Sequence, residues 1–423
     1  MPDLTNTFFK VSSMKLYSIP VNLAIAILLA RYLGPQEFGK YAFILSLVSI
    51  LSIPVGSGLS TLVTREIAAF HYLKQWAYYR GFLIAAYFWV LAFSFFVLVV
   101  LIVFKLLKVG FVETYLSNLV FEIVALILFV GLTAVSAGAL RGLGFPTLSE
   151  MPVQLVTPTF KILIIALTVW LFGAISFSGS ILIQMLTTLF GTIMVVGLLY
   201  RAGPKVGWDI RYKINDWGKS LMPFILVAAM NILITELGII AVGIISSAEQ
   251  VAGLRVAERI GQFVLLPLTI INIIVAPYLV KAFKANDHLM MQRITSQSAG
   301  GALMISIPFG VMLIFYGDFL IDFLFGDEYS YFVNRPMLAI IAAQLVNVFF
   351  GPVAFLLLLT ENEVVVLKIQ FIAFVSGIVI MVLLIPTYGA FGAACAFALF
   401  TVVWNCGMAF SVFKNLKIKP LFF

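Results

Sequence analysis

The sequence predicts an all-α integral membrane protein with about twelve transmembrane helices. Of its 423 residues, 63% are hydrophobic and only 10% are charged, whereas a soluble protein carries roughly 25% charged and 45–50% apolar residues. Apolar runs of about 20 residues recur along the chain, and a run of that length crosses a bilayer as a helix. Because no soluble fold could hide so much apolar surface, the bilayer is the expected solvent.

Each predicted span is an apolar run bounded by polar residues, and the clearest is 82–104, which contains no charge. The other predicted spans are 14–33, 40–63, 118–140, 153–172, 177–200, 220–245, 254–280, 298–316, 336–359, 364–385 and 390–412. Very short turns separate some of the later segments, so counts of eleven or thirteen remain open.

The basic residues indicate how the chain is oriented. The net charge is +8, and most Lys and Arg lie in loops on the same side as the N-terminus, which favours a cytoplasmic location for both termini. The loop 318–335 supports this orientation, since it carries four acids and only Arg335. The positive net charge therefore indicates the orientation of the chain in the membrane, and we expect no nucleic-acid partner.

The longest internal polar stretch, 201–219, divides the chain near its middle. It predicts an N-terminal six-helix lobe at 1–200, a basic cytoplasmic linker at 201–219 and a C-terminal six-helix lobe at 220–423. Trp208, Tyr212 and Trp217 lie among the basic residues of the linker, a pattern typical of a segment on the inner leaflet.

The two halves are predicted to be repeats. Gln36–Ala42 is similar to Glu249–Arg255, and Pro54 corresponds to Pro267 at the same offset of about half the chain. Six crossings per half would give both halves the same orientation.

Five motifs in order resemble those of the polysaccharide transporter family, the Wzx-type O-antigen flippases. They are Arg31–Tyr41, Gly58–Glu66, Leu140–Gly144, Phe325–Tyr329 and Pro386–Ala394, and they cover the chain from end to end. The resemblance implies the multidrug/oligosaccharidyl-lipid/polysaccharide exporter fold, with two six-helix lobes facing each other across a central cavity.

The same resemblance implies a function. The expected substrate is an oligosaccharide on polyprenyl diphosphate, moved from the cytoplasmic to the periplasmic leaflet of a bacterial inner membrane. Membrane lipids, a glycan polymerase and chain-length machinery are the implied partners. The sequence departs from drug exporters of this fold, because its first two helices hold no isolated carboxylate.

Charged residues inside or at the ends of spans are the candidate substrate ligands, since a charge at the bilayer centre costs about 2.5–3.5 kcal/mol. Lys161, Arg255, Arg259 and Arg31 would attract the diphosphate. Asn22 and Gln344 would bind sugar hydroxyls. The alternatives are that Glu258 neutralises an arginine beside it, or that these cations extend to the interface.

Glu236 is the most isolated acid of the predicted spans, and Glu258 lies between the two arginines. A carboxyl group buried in a span would exchange a proton as access alternates, which would couple transport to an ion gradient. The alternative role of Glu236 is a structural partner for Lys161 or an arginine.

Three other functions compete with this prediction. An organic-cation antiporter of the same fold needs an acidic cavity, and a membrane enzyme needs a catalytic set that this sequence lacks. A passive scramblase would show no ion coupling. Cys395, Cys406, His71 and His288 lie apart from plausible ligands, so we expect no metal, cofactor or catalytic site.

Overall fold

A computed structural model describes residues 4–107, 119–204, 209–285, 287–360 and 363–418, and within these ranges there is no β-strand. The predicted interfacial residue Trp208 lies outside them. The described residues form fourteen α-helices: α1 Leu4–Leu51, α2 Ser57–Tyr72, α3 Trp76–Leu106, α4 Val120–Gly142, α5 Pro146–Met151, α6 Thr157–Phe172, α7 Phe177–Ala202, α8 Ile214–Ile245, α9 Ala248–Lys284, α10 His288–Leu324, α11 Ser330–Phe350, α12 Val353–Leu359, α13 Glu363–Tyr388 and α14 Ala390–Leu416.

The predicted fold class is confirmed. In the described part of the chain, ten helices are long and apolar enough to cross a membrane. One of them, Phe9–Leu51, has 43 residues and a kink at Gly34, where φ is 72°. At 1.5 Å per residue it is about 65 Å long, twice the hydrocarbon thickness, so it holds two crossings. Each of the twelve predicted spans overlaps a helix.

The chain forms two compact units. Unit 1 comprises residues 1–33 and 44–236, and unit 2 comprises residues 34–43 and 237–423. The predicted lobes at 1–200 and 220–423 and the central cavity stay predictions. The observed units differ from the predicted lobes in that residues 220–236, the first seventeen of the predicted C-terminal lobe, pack with unit 1.

A break in the second span is the main irregularity of unit 1. Helix α1 ends at Leu51 and α2 begins at Ser57, with Pro54 between them. Proline has no N–H to donate to the carbonyl four residues before it, so it weakens the helix at this point. The indole of Trp89 donates to the carbonyl oxygen of Pro54 at 3.1 Å, so α3 supplies a partner at the break.

Helix α4 lies against α2 through small residues. A Cβ at Gly138 would lie 2.6 Å from the Ser60 carbonyl oxygen, and one at Gly142 would lie 2.8 Å from that of Thr64. The Ser60 hydroxyl in turn donates to the Ala134 carbonyl at 2.6 Å. Small residues let the two backbones approach closely enough for these interhelical hydrogen bonds.

The linker is more closely packed than the sequence indicated. Residues 209–213 cross the first turn of α3, where the Arg211 amide donates to the Ala77 carbonyl at 3.1 Å. Trp217 is 6% exposed, and its ring contacts Phe82 edge-on at 4.9 Å. The Trp217 ring therefore packs against α2 and α3, and the interfacial position of the linker stays a prediction.

Three of the motifs that carry the resemblance meet at one end of unit 2. Phe38 packs edge-on against Tyr329 at 6.4 Å, and the Ala390 amide donates to the Gln250 side chain at 3.0 Å. Gly39 lies so close to Ala248 that a Cβ would overlap the Ala248 carbonyl. The two segments matched as a repeat are therefore neighbours in this unit.

Candidate functional site

A cavity of about 430 Å³ lies in unit 1, between the break before α2, α4 and the segments α5 to α7. We call it the polar cavity for the hydroxyl and charged side chains in its lining, although apolar groups form most of its exposed wall. Its lining residues are Gly56, Ser57, Ser60, Thr61, Val130, Thr133, Ala134, Ala137, Arg141, Ser149, Glu150, Val153, Thr157, Thr188 and Gly191. A volume of this order is typical of ligand pockets.

The register of α2 explains why one wall of the cavity is polar. Ser57, Ser60 and Thr61 are three and four residues apart, so they share one face of the helix. Leu59 and Leu62 lie on another face and line a different, apolar depression. Helix α2 therefore separates a hydroxyl-lined surface from a hydrocarbon one.

Arg141 supplies the positive charge of the cavity from the last turn of α4. Its Nη2 donates to the Ser60 hydroxyl at 2.7 Å, and its Nη1 lies 3.9 Å from the Glu150 carboxylate. The Arg141 side chain is 36% exposed and that of Glu150 is 19% exposed. Because each terminal guanidinium nitrogen carries two N–H groups, Arg141 retains donors for a ligand.

Lys161 reaches the cavity through a chain of hydrogen bonds. Its ammonium donates to the Gln184 side-chain oxygen, and the Gln184 amide donates to the Thr188 hydroxyl at 3.2 Å. Thr188 lines the cavity. The structure thus connects a predicted residue with a site that the sequence did not reveal.

Sequence reasoning did not select Arg141, Glu150, Ser60, Gln184 or Thr188 as site residues. Arg141 was read as a loop charge, although it lies in the Leu140–Gly144 motif. Its hydrogen-bond partner Ser60 is in the Gly58–Glu66 motif, so these two motifs meet at the cavity. The signal present in the sequence was that Arg141 and Ser60 each lie in a motif of the resemblance.

Three predicted residues of unit 1 lie away from the residues that line this cavity. Asn22 is exposed, and its amide donates to the Ser18 carbonyl of its own helix at 2.7 Å. Arg31 is exposed near the kink at Gly34, and Glu236 is half-buried in α8. Their functional roles stay predictions.

The remaining predicted residues form a polar strip in unit 2. Arg255 and Glu258 make an ion pair at 3.2 Å, with side chains 14% and 27% exposed. Arg259 donates to Gln262 at 3.4 Å. Gln344 is 7% exposed and packs beside Gly261, where a Cβ would lie 3.8 Å from its Cγ.

One alternative from the sequence was that Glu258 neutralises an arginine beside it, and the ion pair joins Glu258 to Arg255. Arg259 donates to Gln262, which lies on the next turn of α9. A second cavity in unit 2, of about 490 Å³, lies near the clustered motifs and includes Gln250, Asn334 and Arg335 in its lining.

Comparisons with solved structures show the fold. An inward-facing multidrug resistance MATE family transporter of the MOP superfamily superimposes with a TM-score of 0.76 at 12% identity, covering 97% of this chain and 99% of the other. The lipid II flippase MurJ in an inward closed conformation gives 0.72 at 17% identity, covering 95% and 87%. A MOP superfamily transporter from Pyrococcus furiosus, described as having reverse binding-pocket polarity, gives 0.60 at 13% identity, covering 97% and 96%.

A search of curated protein sequences gives no match. The model of one protein family, described as polysaccharide biosynthesis protein, matches residues 4–283. That range is more than half of the chain and includes the polar cavity. The predicted resemblance is confirmed, and the chain belongs to the polysaccharide biosynthesis protein family, with the fold of MOP superfamily transporters.

Proposed function

We propose that this protein moves a polyprenyl-diphosphate-linked oligosaccharide, such as an O-antigen repeat unit, from the cytoplasmic to the periplasmic leaflet by alternating access. The observation that carries the proposal is a cavity lined by hydroxyls and Arg141 inside an otherwise apolar helical unit. A bare bilayer offers no such environment to a charged, sugar-bearing headgroup.

The chemistry of the cavity suits both parts of this headgroup. Arg141 would donate to diphosphate oxygens in two parallel hydrogen bonds. Ser57, Thr61 and Thr188 would exchange hydrogen bonds with sugar hydroxyls, and Glu150 would accept from them. Lys161 would add a positive charge through the Gln184 and Thr188 chain.

We further propose that the polar strip of α9 forms part of the same route. Arg259 would contact the diphosphate, while Arg31, Asn22 and Gln344 would bind the headgroup at successive positions. Arg255 would act through its ion pair with Glu258, because a proton on Glu258 would weaken that pair.

Ion coupling would use Glu236 together with Glu258. Glu236 is half-buried in a helix with the length and hydropathy of a membrane span. A carboxyl group there would be protonated from one side and released to the other as access alternates. The glycan polymerase and chain-length machinery remain the proposed partners in an inner membrane.

Multidrug transport is the second candidate, because several structures with this fold are named MATE transporters. An organic cation would favour an acidic cavity, whereas this cavity contains Arg141 as well as Glu150. We therefore favour the anionic, lipid-linked substrate and propose that the protein is not an enzyme.

The test uses purified protein in proteoliposomes that contain a polyprenyl-diphosphate oligosaccharide. The rate at which the sugar becomes accessible to an impermeant lectin would be measured with and without a pH gradient. We expect protein-dependent movement that the gradient accelerates. A rate equal to that of protein-free vesicles would refute the proposal, and movement unaffected by the gradient would refute its coupling.

A further inference from the structure

An apolar groove of about 470 Å³ lies in unit 1 on the opposite side of α2 from the polar cavity. It runs between Pro54 and Leu62, one face of α3 from Phe82 to Phe93, and one face of α8 from Ile214 to Ile225. All its lining residues are aliphatic, aromatic, methionine, proline or glycine. The groove is therefore suited to a hydrocarbon chain.

The length of the groove matches half a bilayer. Its lining runs from Phe82 to Phe93 on α3 and from Ile214 to Ile225 on α8. At 1.5 Å of helical rise per residue, each of these walls is about 16 Å long. The hydrocarbon half of a bilayer is about 15 Å deep. One end of the groove lies at Ile214 and Trp217, in the second half of the linker. The predicted orientation places that end at the cytoplasmic surface.

Cationic residues lie at this same end. Lys213 precedes the first lining residue of α8, and its ammonium lies 4.6 Å from the centre of the Tyr78 ring. The Arg211 backbone is fixed against α3 by its hydrogen bond to Ala77. Asp216 is the nearby acid in the first turn of α8. An anionic headgroup would thus meet positive charge where the groove ends.

We propose that this groove holds the isoprenoid chain of the lipid-linked substrate in the inner leaflet, with the diphosphate at Lys213 and Arg211. The inference rests on the proposed function, to which it adds a docking site for the substrate before transport. A polyprenyl lipid has one chain, and a single groove fits one chain. A diacyl phospholipid would leave its second chain outside.

Gly218 offers a way to fill the groove without damaging the fold. A Cβ at Gly218 would meet no atom within 4 Å, so Gly218→Leu places a side chain in the groove and removes a helical glycine. Gly197 in α7 is a matched control, because it is also helical, exposed and has no atom within 4 Å of a Cβ. Gly197→Leu adds the same volume away from the groove.

The experiment uses the full chain in nanodiscs and a polyprenyl diphosphate with a photoreactive diazirine in its chain near the diphosphate. We expect label on the groove faces of α3 and α8, reduced about tenfold by Gly218→Leu, equivalent to about 1.4 kcal/mol, and unchanged by Gly197→Leu. Lys213→Gln should lower probe affinity, whereas Lys219→Gln should not. Excess phosphatidylglycerol should fail to displace the probe.

Label that is unchanged in Gly218→Leu, or found away from the groove, overturns the inference. Equal displacement by phosphatidylglycerol also overturns it, since the groove would then be a phospholipid site. Flipping is measured separately on the same variants in proteoliposomes. A wild type that moves no lipid-linked sugar refutes the proposed function, whereas normal flipping by Gly218→Leu refutes only the role of the groove.

Discussion

Arg141 links two sequence motifs that lie 81 residues apart. Its guanidinium donates to Ser60 at 2.7 Å and faces the cavity shared with Glu150. The same residue also counts as a basic topology signal at a helix end, and the two roles are compatible. Its side-chain contacts show that it lines the cavity.

We predict that Arg141→Gln lowers the initial flipping rate about tenfold or more, because a charge-assisted hydrogen bond is worth about 1.5–3 kcal/mol. Arg141→Lys, which keeps the charge but not the planar fork, should retain part of the activity. The measurement is lectin accessibility in proteoliposomes, with thermal unfolding as a check on folding. Arg201→Gln, at the exposed end of α7, is the control, and equal loss in both variants would contradict the prediction.

A second prediction concerns Glu236 and ion coupling. Glu236→Gln should abolish the acceleration of flipping by a pH gradient while leaving gradient-free exchange intact, because the amide cannot carry the proton. Asp318→Asn changes an exposed acid in α10 and should keep the acceleration. Unchanged gradient dependence in Glu236→Gln would assign coupling to other groups, Glu258 first among them.

Individual site residues were only partly predictable from sequence. Lys161 was found because a charge within an apolar run is costly and so stands out. Arg141 and Glu150 were not, since a charge at a helix end has an ordinary explanation. The burial of the Trp217 ring was not predictable, because an aromatic residue among basic residues looks the same in sequence whether its ring faces lipid headgroups or a pocket between helices.

At the scale of elements, helix α2 contributes to both the polar cavity and the apolar groove. It begins after a break at Pro54 and carries hydroxyls on one face and leucines on another. The apolar runs were sufficient to predict a helix at each of the twelve segments. The break was not predictable with the same certainty, because proline is common in transmembrane helices and Trp89, which donates to the Pro54 carbonyl, lies 35 residues later.

The close packing at Gly39 gives a prediction at this scale. Gly39→Ala should destabilise the protein by about 3 kcal/mol, because its Cβ would overlap the Ala248 carbonyl and force the backbones apart. Thermal unfolding in detergent would measure it. Gly197→Ala is the control, since its surroundings are open and losing a helical glycine should stabilise by about 0.5–1 kcal/mol. Equal stability of both variants would show that this contact can relax.

For the whole molecule, the predicted helical membrane protein agrees with the described residues, and the family match agrees with the motifs. Hydropathy could not show that residues 34–43 pack with unit 2 while their neighbours on both sides pack with unit 1. Such an exchange depends on contacts between residues far apart in the chain, among them Phe38 with Tyr329.

The predicted orientation is a property of the whole chain and can be tested by labelling. In a background with Cys395→Ser and Cys406→Ser, Tyr331→Cys should react with an impermeant maleimide in intact cells. Leu289→Cys should react only after the inner membrane is permeabilised. Both side chains are over four-fifths exposed, so access to the reagent depends on the side of the membrane. The opposite pattern would reverse the proposed direction of transport.

The central claim is tested most directly by offering both substrate classes to the same protein. Proteoliposomes would contain a polyprenyl-diphosphate oligosaccharide in the membrane and a fluorescent organic cation in the medium, and both movements would be followed under one pH gradient. The proposed function predicts that wild-type protein moves the sugar, that Arg141→Gln slows it, and that cation movement stays at the protein-free level. Protein-dependent movement of the cation without movement of the sugar would contradict the claim and identify a cation transporter with this fold.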